Sequence, residues 1–180
     1  MEEAIKQILK ELGATDPEVL LNTPKRASRA LNEILSLRAS TPPVLTTFQT
    51  NSPGEMVFKT GLKATSLCPH HLLVYLLEAT FAYVPSTKVV GISKPGRLLQ
   101  WGAGRLILQE EIGAIFIREF CRVVQPLGTI LLLKGYHLCE SIRGVQQRDS
   151  VTITVASSGC LTEGPKRDEF FKLVQMCRED

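Results

Sequence analysis

No stretch of this 180-residue chain approaches the roughly 18 consecutive apolar residues that a membrane-spanning helix needs. The opening MEEAIKQILKEL also lacks the basic region and apolar run of a secretory leader, so a soluble, cytoplasmic protein is expected. Nor is there a strong excess of one charge. The 21 Lys and Arg against 18 Asp and Glu leave a net +3, too little for bulk nucleic-acid binding, which needs a concentrated basic face. The five cysteines, at 68, 121, 139, 160 and 177, are odd in number, and three of them lack ligand-like spacing, which argues against a secreted disulfide framework. Cys121 and Cys177 fall in helical patterns and are expected as small core residues, while Cys160 closes a strand. Internal repeats and low-complexity tracts are missing too. What remains is a chain with 44% hydrophobic residues, enough for one core of ordinary size.

The periodicities divide that chain into helices and strands. Residues 2 to 12 read as a short helix ending near Gly13. A second helix is expected to begin at Asn22-Thr23-Pro24, a capping residue followed by a first-turn proline. Ala27, Ala30, Leu31, Ile34 and Leu35 form its apolar stripe, and Lys25, Arg26 and Arg29 its other face. The proline-bearing stretch from Ser40 to Gly54 reads as an extended connection. Strands are expected at about 56–65, 72–84, 87–92, 129–138 and 150–157. Ile112, Phe116, Phe120 and Val124, repeating every four residues, mark a helix over 109–124, and Phe170, Val174 and Cys177 mark another over 165–177. Helices interspersed among strands that can pair across short turns point to an α+β fold, whose sheet edges need covering, so oligomerisation is expected.

Histidine is scarce, with three in the chain, and all three lie beside cysteines. In CPHHLL, Cys68 and His71 have the C-x-x-H spacing by which a tight loop presents two ligands to one ion. In YHLCE, His137 and Cys139 are two apart in a strand-like run, which predicts side chains on one face. Cys68, His70, His71, His137 and Cys139 are thus five candidates for the four positions of a tetrahedral zinc, which thiolate and imidazole favour over magnesium or calcium. Spacing leaves two arrangements open. One is a closed Cys2His2 structural site. The other has three protein ligands and an open position for a water nucleophile, with two histidines left as proton carriers.

Basic residues gather at a few places. Arg26 and Arg29 share a helical face, Ser93-Lys94-Pro95-Gly96-Arg97 looks like the opening of a short helix suited to a phosphate, and Arg143 follows the second metal segment. Each of these alone is more often a solvated surface charge. Taken in order, however, TPKRASRA, CPHHLL, VVGISKPGR, LQEE, HLCESIRGV and SVTIT resemble the signature segments of GTP cyclohydrolase I, over most of the chain from about Thr23.

The resemblance implies the tunnelling fold, an antiparallel sheet backed by helices, with protomers joined into a barrel and stacked as a homodecamer of two pentamers whose active sites lie between subunits. On this reading residues 1–39 form an N-terminal helical segment and 40–180 the catalytic domain, in one continuous unit. The implied reaction opens the imidazole ring of GTP, releases formate from carbon 8 and ends in 7,8-dihydroneopterin triphosphate, a precursor of folate and related pterins. Cys68, His71 and Cys139 look like the zinc ligands, and His70 and His137 the proton-transfer pair. Glu110, helped by Gln109, looks like the reader of the guanine edge, and Ser93 adds a polar contact. Arg26, Arg29, Lys94, Arg97 and Arg143 would meet the triphosphate. The sequence departs from the family pattern at Arg29, where lysine is frequent, and at Pro69, Gly104, Ile107 and Glu111. Two other readings stay open: a related tunnelling-fold enzyme acting on another purine or pterin, and a non-catalytic nucleotide-binding protein with structural zinc.

Overall fold

A computed structural model describes residues 1–36 and 40–177. Its elements in chain order are α1 (Glu2–Glu11), α2 (Pro17–Ile34), β1 (Thr47–Gln49), β2 (Val57–Leu67), β3 (Val74–Val84), β4 (Lys88–Val90), α3 (Lys94–Ala103), α4 (Gln109–Val124), β5 (Gly128–His137), α5 (Leu138–Ser141), β6 (Thr152–Gly159) and α6 (Pro165–Met176). The α+β expectation holds. β2, β3, β5 and β6 form an antiparallel sheet in that order, and β1 pairs with β4 in a separate two-stranded ribbon.

The sheet is apolar on both faces because its central strand alternates. Leu77, Ala79, Phe81 and Tyr83 of β3, with Leu131 and Leu133 of β5, pack with α3 and α4 in the larger core. Ala82, Val84, Ile130 and Leu132 point the other way, against Phe170 and Val174 of α6. α3 and α4 cover one face, and the first residue of α4, Gln109, reaches β5 at Leu133 and at its last residue, His137.

Three sequence expectations are corrected here. The second helix starts at Pro17, not at Asn22: Asp16 caps it, its Oδ1 accepting from the Glu18 N–H at 2.8 Å, with Pro17 in the first turn. Pro24 then lies buried inside α2, where Asn22 donates from Nδ2 to Glu18 Oε1 at 3.1 Å instead of capping. The Ser40–Gly54 connection contains β1, held by its pairing with Lys88–Val90. Cys177 is exposed at the end of α6, not a core residue, whereas Cys121 packs at the edge of the larger core and lies 3.2 Å from Ser158 Oγ. The expected boundary between residues 39 and 40 adjoins positions 37–39, outside the described residues.

Candidate metal centre and active site

The candidate site lies where β2 ends, β3 begins and β5 ends. The loop between β2 and β3 closes on itself: Cys68 N–H donates to Leu73 O at 2.9 Å, and Leu72 N–H to Cys68 O at 2.8 Å. Leu72 sits at φ 55°, a left-handed conformation that costs a branched residue on the order of 1 kcal/mol and that this turn requires. The turn brings His71 Nδ1 to 3.6 Å from Cys68 Sγ. From the far side, Cys139 joins them, and the three donor atoms lie within 4.8 Å of one another. Cys139 does so from α5, not from an extended strand: β5 stops at His137, and the chain turns helical at Leu138. The same-face strand argument for His137 and Cys139 is therefore replaced by a strand-to-helix turn.

The donor set suits zinc. Zn–S and Zn–N bonds of about 2.3 and 2.0–2.1 Å at a tetrahedral angle place sulfur and nitrogen about 3.6 Å apart. The Cys68–His71 separation matches that edge. Burial pushes the Cys139 thiol above its usual range, and the neighbouring Cys68 pushes it further; a cation held beside Cys139 would offset both effects.

A cleft of about 260 Å³ opens beside the donors, lined by Cys68, His70, His71, Gln109, Glu110, His137 and Cys139 among others. Seven of the residues singled out in the sequence thus meet in one place. His70 and Glu110 are exposed at it, and Gln109 is buried. His137 is half-buried and lies flat on Tyr75, with ring centroids 4.4 Å apart and planes 11° from parallel. Burial lowers the His137 pKa, partly offset by the carboxylates of Glu140 and Glu110. Tyr75, which donates to Ile107 O at 3.3 Å, gave no sequence signal beyond its place in a strand.

The basic residues do not line this cleft. Arg26 and Arg29 are exposed on α2, 3.3 and 2.9 Å from Glu18 and Glu33. Ser93, Lys94 and Arg97 open α3, and Arg143 is exposed after α5. Glu111 has a local role: its Oε2 accepts from the Leu108 N–H at 2.8 Å, closing the N-terminus of α4, where an acidic group is favoured. Gly104 ends α3, its N–H donating to Gln100 O at 2.8 Å.

A four-stranded antiparallel sheet backed by helices, with a Cys–His–Cys cluster at one end of its strands, defines an α+β protein of the tunnelling fold. The crystal structure of the archaeosine synthase QueF-Like in the apo form is similar to it, with a TM-score of 0.51 and 23% sequence identity over 64% of this chain and 100% of that one; this likeness concerns the fold alone. At the level of family the match is close. The family model described as GTP cyclohydrolase I matches residues 1–175. Proteins named GTP cyclohydrolase 1 are 36% identical in Campylobacter curvus, over 99% of this chain and 96% of that protein, and 33% identical in Wolinella succinogenes, over 94% and 93%. A third, from Leptospira biflexa, is 34% identical over 97% of this chain and 98% of its own length. The chain belongs to the GTP cyclohydrolase I family and is a GTP cyclohydrolase I-like hydrolase.

Proposed function

We propose that this chain is a zinc-dependent enzyme that opens the imidazole ring of GTP, releases carbon 8 as formate and yields 7,8-dihydroneopterin triphosphate at the entry to folate and pterin synthesis. The observation that carries this reading is the meeting of two thiols and an imidazole at metal-ligand spacing, two further histidines and a carboxylate in one cleft. Cys68, His71 and Cys139 would hold the metal. Neither His70 nor His137 belongs to that cluster, which supports a site with one position left open over a closed structural one. Bound there, zinc supplies Lewis-acid activation of water near neutral pH.

The remaining work falls to the chain's own side chains. Glu110, exposed at the cleft, accepts hydrogen bonds from the guanine ring N–H and exocyclic amine, an acceptor pair adenine does not satisfy. His70 and His137 carry protons to and from the opening ring, a task suited to imidazole near neutral pH. Ser93 adds a polar contact at the base or ribose, and Arg26, Arg29, Lys94, Arg97 and Arg143 belong to the triphosphate side. Since they stand outside the cleft of their own chain, they serve it in a homo-oligomer, proposed as a decamer of two pentamers whose sheets join into a barrel. The exposed Leu76, Tyr136, Ile153 and Val155 support such burial between copies. Residues 40–180 form the catalytic unit in this reading, and 1–39 a helical segment before it. Among the described residues no helix is long and apolar enough to cross a membrane, which fits a cytoplasmic site of action.

Incubation of the zinc-loaded protein with GTP is the direct test. Pterin fluorescence and formate should appear together and disappear on chelation. Nucleotide binding without formate would transfer the reading to a related enzyme acting on another purine or pterin.

A further inference from the structure

Gln109, the first residue of α4, is 3% exposed, and its carboxamide is engaged at both ends. Nε2 donates towards Thr152 O at 3.1 Å, Thr154 Oγ1 at 3.1 Å and Leu133 O at 3.4 Å. Two of these partners are main-chain carbonyls, which only accept. The amide nitrogen must therefore face β5 and β6, and the amide oxygen must face away from them. On that side Gln109 Oε1 lies 2.9 Å from His137 Nε2. An amide oxygen has no hydrogen to give, so His137 Nε2–H is the donor. A neutral imidazole with its hydrogen on Nε2 keeps its lone pair on Nδ1.

Gly135 supplies the second observation. A Cβ at this position would overlap Gln109 Oε1 and come within 2.9 Å of His137 Nε2. The missing side chain on β5 is the gap through which the carboxamide reaches the imidazole. Tyr75 fixes the plane of the ring by stacking, and Gln109 fixes its rotation and its hydrogen.

We propose that Gln109 is a positioning residue which, through the gap at Gly135, holds His137 in the Nε2–H form and so makes Nδ1 the nitrogen that takes up and returns the proton. The proposal rests on the reading of His137 as a proton carrier. It also moves Gln109 away from the guanine contact implied by the sequence resemblance, because both hydrogens of its amide are used within the chain.

Magic-angle-spinning NMR of the zinc-loaded oligomer, labelled with 15N-histidine, reads the tautomer directly, with the His137 signals assigned by their loss in His137→Ala. At mildly alkaline pH the wild type should show the hydrogen on Nε2. In Gln109→Met and Gly135→Ala the Nδ1–H form should appear, and kcat for GTP should fall on the order of 10- to 100-fold with KM within about 2-fold. In a Gln109→Ala background Gly135→Ala should cost less than it does alone, because the overlap with the carboxamide is gone and only the close approach to His137 Nε2 is left. A wild type with its hydrogen on Nδ1 overturns the proposal, even if the variants prove unstable. So does a Gln109→Met protein that raises KM with kcat unchanged, since that marks a substrate contact. Full turnover by His137→Ala would instead remove the proton-carrier role, while the wild-type tautomer would still report on Gln109.

Discussion

Replacing Phe120 with alanine should destabilise the protein severely while leaving the metal centre chemically intact. Phe120 is fully buried on α4, its ring centroid 4.8 Å from Phe81, 5.1 Å from Tyr83 and 6.1 Å from Phe116. Truncating a buried phenylalanine costs roughly 3–5 kcal/mol, with the upper end reached where the surroundings do not close over the void. Here they are rings anchored on β3 and on α4 itself, and lost edge-to-face contacts of about 0.5–1.5 kcal/mol each form part of the loss. The expected cost is about 4–5 kcal/mol, and at roughly 2–4 °C per kcal/mol for a chain of this size the Tm should fall by about 8–20 °C. Phe120→Leu, which keeps most of the volume, should cost less than about 1.5 kcal/mol. Guanidinium unfolding at one fixed protein concentration measures both, with zinc stoichiometry followed in parallel. The zinc content should not change, because the donors ride on the β2–β3 loop and α5. A loss below about 1.5 kcal/mol for Phe120→Ala would refute the reasoning, since the interface of α4 with the sheet would then be able to repack around the void.

Two further outcomes follow from other contacts. Cys139→Ser exchanges a soft sulfur for a poor zinc donor and should reduce bound zinc below stoichiometry in elemental analysis, whereas full retention would count against Cys139 as a ligand. Glu119 is mostly enclosed; burial alone would raise its pKa, but the hydrogen bonds and charges of Arg122 and Arg118, 2.9 and 3.3 Å away, hold it below the ordinary 4.5. Its contribution to stability is full above that value and is lost as pH falls through the depressed folded pKa. Wild type should therefore be more stable than Glu119→Gln at pH near 7 by a margin that shrinks in acid; a margin that grows in acid would contradict the assignment.

The parts of the fold legible in the sequence are those written in local periodicity. Ile112, Phe116, Phe120 and Val124 mark α4 over its observed span of Gln109–Val124, because one stripe every turn is what burial against a sheet selects. The start of α2 was placed too late for a physical reason: Asn22-Thr23-Pro24 is a cap-and-proline sequence, but the capping bond forms earlier, at Asp16 before Pro17. β1 is three residues long and exists by pairing with β4, which no local pattern records. At the site, the C-x-x-H turn is local and could be read, whereas the helical turn that carries Cys139 looked like a continuing strand. The role of Gln109 was out of reach, since its partners Leu133, Thr152 and Thr154 lie 24 to 45 residues away in sequence. Glu111, one of the departures from the family pattern, has a local bond to the residue that caps its own helix.

The loop from Cys68 to Leu73 has a consequence for metal delivery. Its hydrogen bonds both begin and end on the backbone of Cys68, so the residue that offers the sulfur is also the clasp of the turn. Pro69 adjoins that clasp, and its ring narrows the conformations open to the segment before any ion arrives. Two donors are thus set at a zinc-like spacing by the polypeptide, and the entropy of arranging them is spent during folding. A metal ion bound there would meet a mould already cast, so that little of its binding free energy would go into ordering the loop.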